Sequence, residues 1–186
     1  MKTAVQEIKT PLTVEEYIQY ELTADCRHEY INGKLFKMPG EKDINNDIAF
    51  EIGVLLRPLK AKEFSIHIES VKVAIPGGSK FYYPDVFITK EPRSANNRYI
   101  KYEPELIIEV VSPSTYNTDT VDKYIAYTTI PSLNYYLLVE PETVYVVVYS
   151  KTIENQWEAM MHTRNTDTIP LPLLGLDLPL RDVYPQ

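Results

Sequence analysis

A chain of 186 residues with 44% hydrophobic and 24% charged side chains has the make-up of an ordinary globular protein, long enough for one substantial core. Its net charge of −7 excludes a general nucleic-acid coat, because grip on the phosphate backbone depends on Lys and Arg displacing counterions. The single cysteine, Cys26, excludes an internal disulfide and fits a reducing, cytoplasmic setting, while the absence of any apolar run near ~20 residues excludes a membrane-spanning helix.

The first eight residues lack the apolar centre of a signal peptide. Thr13-Val14-Glu15-Glu16 has the T-x-x-E form of a capping box, which predicts a helix from Thr13 to about Leu22. Residues from Arg27 to Met38 read as a hairpin turning at Asn32-Gly33, the strongest short signal for a type I′ turn. A second, amphipathic helix runs from Asp43 to Arg57, with Ile44, Ile48, Ile52, Leu55, Leu56 and Leu59 at three- and four-residue steps and Pro58 at its end. Glu51 lies at the margin of that stripe.

Phe64 to Ile75 alternates as one long strand with a bulge between Ile68 and Val71; its Glu69 reads as a surface residue. A turn at Pro76–Lys80 leads into a strand, Phe81 to Ile88, that carries Asp85. The loop 90–101 is the most basic stretch of the chain, with Lys90, Arg93, Arg98 and Lys101. It reads either as a nucleic-acid contact or as a solvated loop. The next strand, Glu105 to Val111, carries Glu109 and runs into Ser112-Pro113-Ser114-Thr115. A helix over 118–128 then leads to the strand Tyr135–Val139, so strand–helix–strand predicts a parallel crossover. On that helix Val121, Tyr124 and Ile125 form the expected core stripe, with Asp119, Lys123 and Tyr127 on the opposite, exposed side. Strands at Thr143–Ser150 and Gln156–His162 and a Pro- and Leu-rich tail packing over the sheet complete a single domain over 1–186.

Two features of this pattern point to chemistry. Asp85 and Glu109 each interrupt a run of β-branched and aromatic residues, and alternation places Glu109 between Ile107 and Val111 on one face of its strand. A lone ionised carboxylate removed from water costs several kcal/mol unless a charged partner accompanies it. The two acids are either separately satisfied, by a turn and a lysine, or share a divalent cation; hard oxygen donors suit Mg²⁺.

The run of motifs from Thr13-Val14-Glu15-Glu16-Tyr17 through Tyr30-Ile31-Asn32-Gly33-Lys34-Leu35, Tyr83-Pro84-Asp85-Val86, Glu105–Thr115, Asp119, Lys123 and Tyr127 to Tyr136–Glu142 resembles the Uma-type putative restriction endonucleases of the PD-(D/E)xK nuclease superfamily, over nearly the whole chain. The resemblance implies an α+β fold: a restriction-endonuclease-like core with a mixed central β-sheet flanked by helices, and an extra N-terminal hairpin and helix. It implies an endonuclease acting on nucleic acid, with DNA the expected substrate, and a homodimer that reaches both strands. The implied metal, Mg²⁺ or Mn²⁺, would be bound by Asp85, Glu109 and the backbone carbonyl of Val110, with Glu51 from the first core helix as a further candidate.

Position 111 is valine where the E-x-K signature has its lysine, and in this family the missing cation is thought to come from the following helix, where Lys123 stands. The catalytic set implied is therefore Asp85, Glu109 and Lys123. Ser112 and Ser114 follow the Glu109 strand directly and are candidates for contact with a metal-bound water or a phosphate. Relatives tend to carry a histidine near the start of the first core helix, where this chain has Asn45 and Asn46. With the acidic net charge, that departure favours the alternative, a catalytically inactive nuclease-fold module for binding or assembly. No G-x-S-x-G, Walker A or dinucleotide glycine pattern occurs, and His28, His67 and His162 lack zinc-ligand spacing.

Overall fold

Helix formation near Thr13 is set by a reciprocal cap. In the computed structural model, which describes residues 11–38, 40, 42–94, 98–111 and 118–184 (without the side chains of 118–120), helix α1 (Val14–Glu21) begins where the Glu16 N–H donates to the Thr13 hydroxyl at 3.2 Å and the Thr13 N–H to the Glu16 carboxylate at 2.8 Å. Two otherwise orphaned donors are thereby satisfied. The helix buries Tyr17, whose ring stacks on Tyr30 at 4.9 Å.

Strands β1 (His28–Ile31) and β2 (Lys34–Lys37) pair about Asn32 and Gly33, with φ of 51° and 87°, the left-handed pair a type I′ turn requires. Gly33 is doubly constrained, since a Cβ there would lie 2.9 Å from Pro11 Cβ. Gly33→Ala is therefore expected to lower stability by about 1–2 kcal/mol, seen as a drop in thermal midpoint; an unchanged midpoint would show that the turn relaxes freely.

The stretches 64–75 and 81–88, each expected as one strand, are both cut in two and shared between sheets. Strand β3 (Ser65–Ile68) is separated from β4 (Lys72–Ala74) by Glu69, which takes φ 54°. Strand β5 (Lys80–Tyr82) is separated from β6 (Val86–Thr89) by Tyr83-Pro84-Asp85. Pro84 has no N–H to give a ladder, so pairing stops there. The first sheet has the order β2-β1-β5-β4-β7, where β7 is Ile100–Lys101. The second contains β8 (Pro104–Val110), β9 (Tyr135–Glu140), β10 (Tyr145–Lys151) and β11 (Trp157–His162) in the order β11-β10-β9-β8-β6-β3. Strands β8 and β9 are parallel and joined through helix α3 (Thr118–Tyr127), as the strand–helix–strand pattern predicts.

Helix α2 (Asp43–Leu55) continues as a 3₁₀ turn over Arg57–Lys62 with Pro58 in its first turn. Its Ile48 and Ile52 pack on Val86, Ile88, Leu106 and Ile108, one face of the second sheet. The tail forms a ribbon, β12 (Thr168–Leu171) with β13 (Leu176–Pro179), followed by α4 (Leu180–Val183), and covers the same face. The opposite face, with Phe87, Ile107, Tyr136 and Leu138, lies under α3.

Helix α3 is turned from its expected orientation. Val121 and Ile125 are 56% and 57% exposed, whereas Tyr127 is fully buried and the Lys123 side chain only 13% exposed. Among the described residues no helix is long and apolar enough to cross a membrane.

Candidate active site

The orientation of α3 is explained by what lies beneath it. Strand β8 holds Glu109 on the same face as Ile107, only 4% exposed. The Tyr127 hydroxyl donates to Glu109 Oε1 at 2.8 Å, and Lys123 Nζ donates to Oε2 at 3.1 Å. The same ammonium lies 3.0 Å from Glu29 Oε1, so Lys123 bridges a carboxylate of the first sheet to one of the second.

Burial pushes the Glu109 carboxyl above the usual carboxylate range; Lys123 opposes the shift, Glu29 adds to it, and the Tyr127 bond opposes it. Burial, followed by the Glu109 charge, raises Tyr127 well above the ordinary phenol value. Tyr127 is thus held as a hydrogen-bond donor throughout the physiological range. Glu29, buried on β1, escaped the sequence reading: on a short hairpin strand beginning His28-Glu29, nothing distinguishes an inward acid from a solvated one.

Asp85 directly precedes β6. The register Val86↔Ile108, carried one step further, sets it opposite Glu109. Asp85 Oδ2 accepts the Val110 N–H at 2.5 Å, its carbonyl accepts from the Glu69 N–H at 2.9 Å, and the residue is 6% exposed. The two candidate acids are therefore joined through the backbone at the end of β8. Asp85 also lines a groove of about 880 Å³ together with Asn46, Glu69, Lys72, Tyr83 and Tyr99.

The other sequence candidates are placed less uniformly. Glu51 is half-buried on α2 and does not line that groove; the α2 residues that do are Asp43 and Asn46. Among the described residues no three His, Cys, Asp or Glu side chains are grouped to hold a metal. Asn46, in the first turn of α2, donates from Nδ2 to Glu69 Oε1 at 3.0 Å. Glu69, read from sequence as a plain surface acid, is instead part of the groove wall: Arg27 donates to its carbonyl and lies 3.8 Å from its carboxylate.

In the basic loop Arg93 and Arg98 are exposed, and Lys90 Nζ sits 4.6 Å from the centre of the Phe64 ring. Lys101 departs from the expectation of a solvent-facing contact. It is 2% exposed, 3.5 Å from the Pro92 carbonyl and 4.0 Å from Glu91, because its pairing with Val73 draws it into the first sheet. Ser112 and Ser114, and the side chain of Asp119, lie outside the described residues.

Comparison with known proteins agrees with this architecture. The model of the Uma2 family, described as putative restriction endonuclease, matches residues 14–181. An uncharacterized protein of Synechocystis sp. is 29% identical over 174 residues, 93% of this chain and 91% of that protein. A second uncharacterized Synechocystis protein is 33% identical over 150 residues, 78% of this chain and 84% of the relative. The crystal structure of a putative nuclease belonging to DUF820 from Anabaena variabilis shares the fold, with a TM-score of 0.74 and 22% identity over 94% of this chain and 98% of that one.

Proposed function

This chain belongs to the Uma2 family of putative restriction endonucleases, and from that premise we propose that it is a metal-dependent endonuclease hydrolysing phosphodiester bonds in DNA. The observation that carries the reading is Glu109, an acid 4% exposed, set opposite Asp85 and bonded to Lys123. Two buried carboxylates on opposed positions of neighbouring strands suit Mg²⁺ or Mn²⁺, which take one or two carboxylates and complete their shells with water and phosphate oxygens. Asp85, Glu109 and the Val110 carbonyl would hold the ion, which supplies Lewis-acid polarisation of the phosphate and a more acidic attacking water.

The chain's own residues do the rest. Tyr127 fixes Oε1 of Glu109 and so orients Oε2. The Val110 N–H fixes Asp85 in the same way. Lys123, bonded to Oε2, would orient the attacking water or stabilise charge gathering on the phosphoryl oxygens. Arg93 and Arg98 are exposed cations available for backbone contacts outside the reacting centre.

One observation favours a second reading, an inactive binding or assembly module: both oxygens of Glu109 already have partners in Tyr127 and Lys123. Supercoiled plasmid separates the two. On the nuclease reading, Mg²⁺ or Mn²⁺ supports nicking, EDTA stops it, and Asp85→Asn reduces it by at least about 100-fold. Cleavage unchanged in Asp85→Asn, or no heat of Mg²⁺ binding at millimolar metal, would favour the inactive module.

A further inference from the structure

Lys72, the first residue of β4, is 6% exposed and makes no side-chain hydrogen bond or ion pair among the described residues. Its ammonium lies 5.7 Å from the centre of the Tyr17 ring and 5.1 Å from that of Tyr83. Those faces attract a cation but accept none of its N–H bonds in the manner of an oxygen. A lysine is almost never buried to this degree without a partner, because desolvating the charge costs several kcal/mol. The acid that would ordinarily serve, Glu21, is already taken: its Oε1 accepts from the Tyr83 hydroxyl at 2.9 Å and the His28 N–H at 2.8 Å, and its Oε2 lies 3.2 Å from His28 Nδ1. Burial holds the Lys72 amine below its usual pKa, with Glu21 opposing.

The position of this amine says what it awaits. Lys72 lines the same groove as Asp85. Two other cations of that groove are matched to acids, Arg27 to Glu69 and Lys42 to Glu142, and Lys37 is exposed to water. We propose that Lys72 is an anion subsite that receives a phosphodiester oxygen of the nucleic-acid backbone in the groove it shares with Asp85. A lysine binds phosphate as a compact point charge, and a bound oxyanion provides the acceptor that the two rings cannot. The assignment rests on the nuclease reading for the identity of the ligand.

Two measurements, both in EDTA, test it. In wild-type protein carrying [¹³Cε]lysine, the Lys72 cross-peak, assigned by its loss in Lys72→Arg, should shift saturably with inorganic phosphate and not with chloride at equal ionic strength. No shift, or the same shift with chloride, overturns the subsite. In fluorescence anisotropy with a labelled 20-mer duplex, Lys72→Met should reduce the slope of log K against log salt by about 0.9, one phosphate contact. Its thermal midpoint should be no lower than wild type, because an unpaired buried charge has been removed. An unchanged slope overturns the inference while leaving the nuclease reading intact. A wild-type protein that binds no duplex overturns the nucleic-acid reading itself and, with it, the phosphodiester assignment.

Discussion

Glu109→Gln is expected to abolish Mg²⁺-dependent cleavage and, in the absence of metal, to make the protein more stable at pH 8. The amide is nearly isosteric and keeps a carbonyl for the Tyr127 hydroxyl now bonded to Oε1, while its NH₂, which cannot accept from Lys123, leaves that ammonium to Glu29. What it removes is charge. Wild type assembles Glu109, Lys123 and Glu29, two anions around one cation, whereas the variant leaves the neutral Lys123–Glu29 pair. The sign of the pH effect follows from the raised pKa of Glu109. A carboxyl whose folded-state pKa is raised favours the folded state at low pH, and that contribution is lost as pH climbs from the free glutamate value of ~4.3 through the folded one. The variant carries no such loss, so its advantage should be absent near pH 4 and grow as pH climbs to 8. The check is the thermal midpoint, expected to exceed that of wild type at pH 8 and to equal it near pH 4. Retained cleavage would remove Glu109 from the chemistry. A lower midpoint at pH 8 would show that the ionised carboxylate stabilises the metal-free fold instead of straining it.

How far the sequence could be read depended on the range of the forces involved. Local signals were reliable: the Thr13/Glu16 cap, the Asn32-Gly33 turn and the α2 stripe all describe interactions within a few residues, and each is found as expected. The strand–helix–strand crossover was legible for a different reason, that a helical connection between neighbouring strands makes them parallel. Alternation correctly set Glu109 on the Ile107 face, but alternation cannot say to which sheet a strand belongs. Hence β3 and β4, and likewise β5 and β6, read as continuous runs although each pair is divided between two sheets.

Of the apolar stripe on α3, Tyr124 packs on the core as expected, whereas Val121 and Ile125 stay exposed. With Val121 and Ile125 at 56% and 57% exposure, the burial forgone is roughly 1.5–3 kcal/mol for the two together. Leaving Glu109 without a partner would cost several kcal/mol, so the helix presents Lys123 and Tyr127 and leaves Val121 and Ile125 exposed. A buried acid in one element determines which line of the next element faces it, and only the pairing of the two reveals this. Glu29 and Lys72 were invisible in the same way, since each acquires its meaning from a neighbour distant in sequence.

Lys123→Met should be the most damaging single substitution at this site, lowering stability by about 3–5 kcal/mol at pH 8. It removes the cation that touches both Glu109 and Glu29 and leaves two buried acids, at 4% and 8% exposure, facing one another. Without Lys123 the largest influence opposing the rise of the Glu109 pKa is gone, so the group moves further upward. By the sign already established, the loss deepens as pH climbs above the ~4.3 of a free glutamate and recedes on acidification. The double variant Lys123→Met with Glu109→Gln should recover much of the loss, giving a strongly non-additive cycle.

Metal provides the discriminating arm of this experiment. If Glu109 is a ligand, a divalent cation can occupy the position that Lys123 vacates, and a ligand at 100 times its Kd stabilises by ~2.7 kcal/mol. Mg²⁺ should therefore raise the midpoint of Lys123→Met more than that of wild type, where it must share Oε2 with the ammonium. A midpoint for Lys123→Met equal to wild type would show that the two acids never depended on the lysine. Equal Mg²⁺ effects on both proteins would mean that the ion does not reach Glu109. Measured at saturating Mg²⁺, where the variant is folded, cleavage then isolates the chemical role: a wild-type rate would make Lys123 a structural counter-ion, whereas loss of turnover in a folded, metal-loaded protein would place its charge at the reacting phosphate.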